Sequence, residues 1–206
     1  MPVSKPVLVL ATTNSGKAGE IRRAFAGLPM NVITKADLGI RASYPEKGKS
    51  FKENAAGKSL FTSLKSDYLT LAEDSGLEVK ALRGAPGIYS ARYSGRGATD
   101  DKNVTKILRQ MARVPADERQ ARFVCWMILS SKGRILKTAS GAVRGTIARE
   151  RRGRRGFGYD PIFYYRPLKK TFGELALDEK NAVSHRGRAL KKMKIFLAEY
   201  LQSPRS

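Results

Sequence analysis

The sequence has 206 residues, 41% hydrophobic and 28% charged, which excludes wholesale disorder and fits one large domain of two intimate lobes over residues 1–206. No stretch approaches the roughly 18 apolar residues of a membrane span, and the N-terminal segment around Met1 to Lys5 does not resemble a signal peptide. The single cysteine, Cys125, excludes an internal disulfide framework, so a cytoplasmic location is expected. No membrane partner is expected, because no segment is apolar enough to span a membrane.

The charge balance is unusual, because 40 Lys and Arg against 18 Asp and Glu give a formal net charge of +22. Such a field attracts polyanions, whether nucleic acid, an acidic membrane surface or phosphorylated small molecules. Charge alone does not choose among these partners, and most of the charged side chains are expected to form a solvated surface. The densest basic run, at 149–156, is expected to be a flexible loop.

Predicted strands and helices alternate along the chain, which is typical of an α/β fold with a sheet covered by helices. Ser50 and Glu53 have the spacing of a capping box and predict a helix over 50–64. A strand over 68–72 is expected to deliver Glu73 and Asp74 at its end. The remaining predictions are strands at 6–11, 121–130 and 134–143, a turn at 131–133, and helices from Lys17, over 99–111 and from Ser184.

A polar loop separates the first predicted strand from the first helix. Loops of this kind present backbone N–H groups and a helix N-terminus to an anion, and Lys17 adds a mobile positive charge. The loop is therefore a candidate triphosphate site, although it lacks the spacing of a Walker A motif and could equally be an ordinary turn with a helix cap. Its residues are Thr12, Thr13, Asn14, Ser15, Gly16 and Lys17.

Two adjacent carboxylates, Glu73 and Asp74, offer oxygen ligands for a hard cation such as Mg²⁺. Successive strand residues face opposite ways, so only one of the pair is expected to point at a given metal. The alternative interpretation is a surface turn.

Three later segments are candidates for nucleotide recognition, and each is ambiguous alone. The segment 84–93 could line a nucleotide pocket or form a structural loop. At 156–161, two aromatic rings flank a glycine, and bases stack on aromatic faces in many proteins; buried aromatics in a turn are the alternative. At 180–187, the only histidine, His185, stands beside Arg186, and both can donate hydrogen bonds to a base carbonyl or a phosphate.

The order of these motifs is more specific than any one of them. TTNSGK, SFKENA, EDSGLEV, GAPGIYSARYSG, FGYDPIF and KNAVSHRGRAL follow one another from about Val7 to Leu201. The chain closely resembles the inosine/xanthosine triphosphate pyrophosphatase family, especially its bacterial members. The resemblance implies a mixed central sheet flanked by helices, with two lobes around a deep active-site cleft, in a homodimer. It also implies Mg²⁺-dependent hydrolysis of ITP, dITP and XTP to the monophosphate and pyrophosphate.

The resemblance assigns roles to individual residues. Asp74 matches the general base and metal ligand, and Glu46 is favoured over Glu53 as the second metal carboxylate, because Glu53 already has a capping role. The phosphate contacts are expected from 12–17 and Lys58. The remaining substrate positions are Ser75, Phe157, Gly158, Tyr159, Asp160, Lys180, His185 and Arg186.

The sequence departs from the family pattern in three places. Glu73 replaces a common aspartate, Gly57 replaces a larger residue and is expected to loosen its helix, and the arginine run before FGYDP is unusual. Two rival functions are also consistent with the sequence. One is a pyrophosphatase for pyrimidine or modified nucleotides, as in the septum-formation inhibitor family. The other is nonspecific nucleic-acid binding through the basic surface.

Overall fold

The computed structural model describes residues 5–202. The prediction about a signal peptide falls mostly on residues 1–4, which lie outside that range. None of the helices within 5–202 is long and apolar enough to cross a membrane.

Strands and helices alternate as the sequence predicts. In chain order they are β1 (Val7–Leu10), α1 (Ser15–Phe25), β2 (Asn31–Thr34), α2 (Phe51–Ser63), β3 (Leu69–Val79), α3 (Asp100–Gln110), β4 (Gln120–Ser131), β5 (Arg134–Ile147), β6 (Phe163–Tyr165), β7 (Lys170–Thr171), α4 (Leu177–Val183) and α5 (His185–Gln202).

Within residues 5–202, seven strands form one sheet in the order β2-β1-β3-β4-β5-β6-β7. Strand β1 pairs in parallel with β2 and β3, whereas β6 pairs antiparallel with β5 and β7. The sheet is therefore mixed, which confirms the predicted fold class. A two-residue turn at Lys132 and Gly133, both with positive φ, joins β4 to β5 as a hairpin.

The described chain divides into two compact units. The first contains residues 5–74, 126–140 and 188–202, and the second contains 75–125 and 141–187. Strands β3, β4 and β5 each contribute residues to both units.

Each unit has its own buried apolar residues. In the first unit, β1, α1, β4 and α5 supply many of them, including Leu8, Val9, Ile21, Phe25, Met127, Leu129, Met193 and Leu197. In the second unit, β3, α3 and β4–β6 surround a cluster that includes Leu77, Val79, Ile107, Phe123, Ile147, Phe163 and Phe172.

Strand β3 is longer than predicted. It does not end at residue 72 but continues through Glu73 and Asp74 to Val79. The polar residues and Gly76 suggested an end, but Leu77 and Val79 are fully buried and keep the strand against the core of the second unit. The prediction that these carboxylates lie at the end of the strand was wrong.

The basic run is also different from expectation, because its backbone is held in place. Arg152 N–H donates to the Pro161 carbonyl oxygen at 2.9 Å, and Arg155 N–H donates to the Gly173 carbonyl oxygen at 3.0 Å. Gly153, with a φ of 74°, packs against the backbone of Gly173 so closely that a Cβ there would collide with it. The run is a loop, as predicted, but these backbone contacts attach it to later segments, which the expectation of a flexible loop did not include. The arginine side chains are exposed.

Candidate active site

The polar loop after β1 forms a capped helix start. Asn14 is the N-cap of α1, and its Oδ1 accepts a hydrogen bond from Lys17 N–H at 2.9 Å. Thr12 Oγ1 accepts from Asn14 N–H at 3.1 Å, so the loop is turned by its own side chains. Thr13 and Ser15 are exposed, and Gly16 is half-buried in the first helical turn. The first turn of a helix carries N–H groups without intrahelical acceptors, which suits this loop to an anion.

Glu73 and Asp74 point to different partners, as alternation along a strand requires. Strand β1 ends beside β3 near Leu71, so the two carboxylates come just after the end of this parallel pair. The Glu73 side chain is fully buried (0% exposed) and forms an ion pair with Lys17 at 2.8 Å. Removing Lys17 would leave a buried carboxylate without this counter-charge, which is strongly destabilising in proteins.

Asp74 belongs to a second charge cluster. Lys58 Nζ lies 2.7 Å from Asp74 Oδ1 and 2.5 Å from Glu46 Oε1, so one ammonium group contacts both carboxylates. Burial raises the pKa of Asp74, and Lys58 only partly offsets that effect. Burial alone would lower the pKa of Lys58, but the two carboxylates outweigh it and raise the pKa. Asp74 is therefore a stronger base than an exposed aspartate.

Helix α2 brings Lys58 to this cluster. Ser50 caps the helix through its bond from Glu53 N–H at 3.2 Å, and Ser59 Oγ contacts the Ile128 carbonyl oxygen at 3.0 Å and Ser130 Oγ at 2.6 Å. The buried Ser59 bonds fix α2 on the sheet, and Lys58 contacts Asp74 in β3.

Glu53 and Glu46 have different surroundings. The Glu53 carboxylate accepts from Lys49 N–H at 2.9 Å, and this bond lowers the pKa of Glu53. Glu53 is thus used to cap α2 and to hold the preceding loop, whereas Glu46 shares the Lys58 ammonium with Asp74. This difference supports Glu46 as the second metal carboxylate.

The sequence analysis missed Asn54. Its side chain is fully buried, and its Nδ2 donates to Asp74 Oδ2 at 3.5 Å. Asn54 and Lys58 are one helical turn apart and therefore lie on the same face of α2. That spacing within SFKENAAGK was the available signal, because a buried polar residue one turn from a candidate lysine is expected to share its partner.

The two carboxylates suit a particular mode of Mg²⁺ binding. Residues 5–202 contain no group of three or more His, Cys, Asp and Glu side chains that could enclose a metal ion. Mg²⁺ is commonly held by one or two carboxylates together with substrate phosphates and water. Asp74 and Glu46 fit that mode, since one ammonium group contacts both of them and the two carboxylates therefore lie close together.

A second set of predicted residues is assembled around Phe157 in the second unit. Asp160 Oδ2 accepts from Phe157 N–H at 2.9 Å and from Lys180 Nζ at 2.5 Å. Lys180 Nζ lies 4.7 Å from the centre of the Phe157 ring, and the Arg186 guanidinium carbon lies 5.2 Å from it. Both cations are buried, and a desolvated cation is attracted to an aromatic face.

The start of α5 places His185 and Arg186 in this set. Ser184 Oγ accepts from Gly187 N–H at 3.0 Å, which caps the helix. The His185 ring stacks on Phe123 with 4.6 Å between centroids, and Arg186 donates to Ser75 Oγ at 3.0 Å. Both side chains are almost fully buried, so they are preorganised donors rather than mobile surface groups.

Tyr159 and Gly158 are held by neighbouring segments. The Tyr159 hydroxyl donates to the Ser90 carbonyl oxygen at 2.8 Å, and the ring belongs to the core of the second unit. Burial raises the pKa of Tyr159. Gly158 N–H donates to Asp100 Oδ2 at 2.7 Å. These contacts hold the Tyr159 ring in the core of the second unit, whereas the Phe157 ring is only half-buried.

Hydrogen bonds from β3 and α3 hold the segment 84–93 in place. Ser90 Oγ accepts from Leu77 N–H at 2.9 Å, and Asn103 Nδ2 donates to the Ser90 and Ala91 carbonyl oxygens at 3.3 and 3.2 Å. Tyr89 is 57% exposed and lies under the Arg92 guanidinium. The segment is thus a well-braced loop.

The model of the Ham1 family matches residues 8–196. The chain belongs to the Ham1 family. Two curated relatives, each named dITP/XTP pyrophosphatase, come from Desulfotalea psychrophila and Geobacter sulfurreducens. The first is 44% identical over 189 residues, which is 92% of this chain and 84% of the relative. The second is 46% identical over 187 residues, which is 91% of this chain and 94% of the relative.

Solved structures of Ham1 proteins have the same fold. The Ham1 protein of Coxiella burnetii matches with a TM-score of 0.86 and 38% identity, covering 94% of this chain and 99% of that one. The Staphylococcus aureus Ham1 protein matches with a TM-score of 0.84 and the same identity and coverage. A dITP/XTP pyrophosphatase from Mycobacterium abscessus matches with a TM-score of 0.73 and 37% identity, covering 91% of this chain and 98% of that one.

Proposed function

We propose that this Ham1 protein hydrolyses dITP, ITP and XTP to the nucleoside monophosphate and pyrophosphate. The observation that carries the proposal is the cluster of buried Asp74 with half-buried Lys58 and Glu46, in a chain whose relatives are named dITP/XTP pyrophosphatases. A buried base next to a lysine and a second carboxylate suits attack of water on a phosphate.

In the proposed reaction, water attacks the α-phosphorus and the bond from that phosphorus to the α,β-bridging oxygen breaks. Asp74 orients the water and accepts its proton, for which its raised pKa is favourable. Lys58 and Lys17 supply positive charge for the phosphate oxygens, and the first turn of α1 supplies N–H donors. Mg²⁺, held by Asp74 and Glu46, would neutralise phosphate charge and lower the pKa of bound water.

The residues around Phe157 are proposed to recognise the base. Phe157 supplies a ring face for stacking, while His185 and Arg186 donate hydrogen bonds to the 6-oxo group of hypoxanthine or xanthine. Asp160 and Lys180 fix the Phe157 backbone and ring by the contacts described above.

The proposal is tested by turnover of dITP, XTP, dATP and dTTP, with Mg²⁺ and with EDTA. We expect dITP and XTP to be preferred, and activity to disappear in EDTA. Orthophosphate should be released only when inorganic pyrophosphatase is added. Preference for dTTP would favour the pyrimidine-directed rival, direct release of orthophosphate would contradict the cleavage position, and no turnover would contradict the enzymatic function.

A homodimer and a cytoplasmic location are part of the same proposal. The lone buried cysteine suits a reducing compartment. Light scattering of the purified protein tests the dimer and should give twice the chain mass of 22.7 kDa. Cell fractionation tests the location.

We also propose a second function, nonspecific binding of nucleic acid. It is supported by the basic run at 149–156, whose backbone is hydrogen-bonded to Pro161 and Gly173. Arg151 pairs with Asp101 at 2.8 Å, but no carboxylate within 5–202 lies within salt-bridge distance of Arg149, Arg154 or Arg155. A fixed backbone presents these three exposed cations with less loss of entropy on binding than a mobile loop would. The run has no apolar side chain to insert into a membrane, so we propose phosphate backbones as its ligand.

Replacing Arg149, Arg154 and Arg155 together with serine is expected to weaken binding of a labelled duplex DNA at low salt. The slope of log K against log salt should become shallower by up to about 2.7, because each arginine that neutralises a phosphate contributes about 0.9. The kcat for dITP should remain within about twofold, since these side chains make no contact with the proposed site. A triple serine variant of Arg109, Arg113 and Arg134, also exposed, controls for net charge. Equal loss of affinity in both variants would contradict a defined surface, and a loss of kcat would place the run in the catalytic machinery.

A further inference from the structure

The segment 44–49, here called the Glu46 segment, is held to α2 although it contains no helix or strand. The Tyr44 ring packs against Gly57, where a Cβ would lie 2.7 Å from the Tyr44 hydroxyl oxygen. Glycine at 57 therefore makes room for this ring. The sequence analysis expected Gly57 to loosen the helix and did not foresee this contact with Tyr44. At the other end of the segment, Lys49 N–H is bound by Glu53.

Asn54 provides the central attachment. Its Oδ1 accepts from Gly48 N–H at 2.9 Å, and its Nδ2 donates to Asp74 Oδ2 at 3.5 Å. A Cβ on residue 48 would lie only 2.6 Å from Asn54 Oδ1, so the backbone at Gly48 approaches the amide in a way that a larger residue could not. The two ends of one buried amide thus connect the Glu46 segment to Asp74.

We propose that Asn54 is a positioning residue that holds the Glu46 segment in a fixed relation to Asp74. Two bridges run from Asp74 to this segment, one through Lys58 to Glu46 and one through Asn54 to Gly48. An ammonium on a flexible stem is a point charge with little directional preference, whereas a planar amide fixes direction at both ends. Asn54 therefore supplies the geometric constraint. The catalytic consequence rests on the proposed function, in which both carboxylates serve one Mg²⁺.

Two substitutions distinguish the contact of the Asn54 amide with Gly48 from its contact with Asp74. Asn54→Asp keeps an acceptor for Gly48 N–H but replaces the donor to Asp74 with a carboxylate oxygen that repels it, whereas Asn54→Ala removes both contacts. In Asn54→Ala, we expect hydrogen exchange at the Gly48 amide and trypsin cleavage after Lys47 and Lys49 to be at least about tenfold faster. In Asn54→Asp, both should stay within about twofold of the unchanged protein.

Kinetics of the same variants show whether the contact with Asp74 matters for the reaction. Both substitutions should lower kcat for dITP by at least about 30-fold, with KM changed less than about threefold, because the groups proposed to bind the nucleotide are intact. The Mg²⁺ concentration for half-maximal rate should rise most in Asn54→Ala. Asn54→Ser, which has a smaller polar side chain, replaces the alanine variant if that variant does not fold.

Asn103→Ala is the matched control, since Asn103 is a buried asparagine in α3 that binds Ser94 N–H at 2.7 Å. It should lower the melting temperature without faster cleavage after Lys47 and Lys49. Unchanged exchange at Gly48 together with unchanged kcat in Asn54→Ala would overturn the positioning role. Absence of dITP hydrolysis in the unsubstituted protein would instead overturn the proposed function, while exchange and proteolysis would still decide whether Asn54 holds the segment.

Discussion

Replacing Asp74 with asparagine is expected to lower kcat/KM for dITP by at least about 1,000-fold, the loss typical of removing a general base. The fold should be retained. Because burial raises the pKa of Asp74, its ionised form at neutral pH is less stable in the folded chain than in the unfolded one. A neutral amide removes that penalty, and Lys58 keeps Glu46 as a partner. The melting temperature at pH 7.5 should therefore be unchanged or higher.

The control for this substitution is Asp67→Asn, which makes the same chemical change at an exposed carboxylate just before β3. It should leave both kcat/KM and the melting temperature unchanged. A folded Asp74→Asn protein with near-normal turnover would remove Asp74 from the chemistry. A large fall in melting temperature would instead show that the ion pair with Lys58 contributes more to stability than the burial of the carboxylate costs.

Replacing Arg186 with alanine is expected to change base selectivity more than any other property. Hypoxanthine carries a 6-oxo acceptor, whereas adenine carries a 6-amino donor that would face the guanidinium unfavourably. Arg186 is 2% exposed and donates to Ser75 Oγ, so turning the guanidinium towards solvent would break an existing hydrogen bond. Unsatisfied buried groups cost about 1–3 kcal/mol, and more when charged. We expect kcat/KM to fall about 100-fold for dITP and less than about fivefold for dATP.

Arg119→Lys serves as the control for loss of a buried guanidinium. Arg119 is also nearly buried, and it donates to backbone carbonyl oxygens of Met111, Ile147 and Ala148 in the second unit. Its replacement should lower stability without altering the ratio of dITP to dATP hydrolysis. Arg186→Lys, which keeps the charge but loses the planar fork, is measured in parallel. Equal losses with both substrates in the Arg186 variants would make Arg186 a phosphate-binding or structural residue.

Local sequence patterns predicted the elements that depend on near neighbours. The capping serine at position 50, the turn at Lys132 and Gly133, and the cap of α5 at Ser184 all occur where expected. In each case a few consecutive residues determine the conformation, either through a side-chain bond to a nearby N–H or through the tolerance of positive φ. The order of the motifs then identified the family, which the comparisons confirm.

Properties that depend on distant residues could not be obtained from such patterns. Strand β3 continues past Asp74 because Leu77 and Val79 pack into a core built largely from later segments. The arginine run is fixed because its backbone meets Pro161 and Gly173, and nothing within the run itself indicates this. Asn54 has its role only because α2 places it against Asp74, 20 residues along the chain.

The division into two units has a practical consequence for spectroscopy. The chain has one tryptophan and one histidine. Trp126, which lies beneath the Lys52 ammonium, belongs to the first unit, and His185, stacked on Phe123, belongs to the second. Indole fluorescence and the imidazole proton resonances therefore each report on a different unit without any label. Following both signals through a denaturant titration measures whether the two units unfold in one transition or in two.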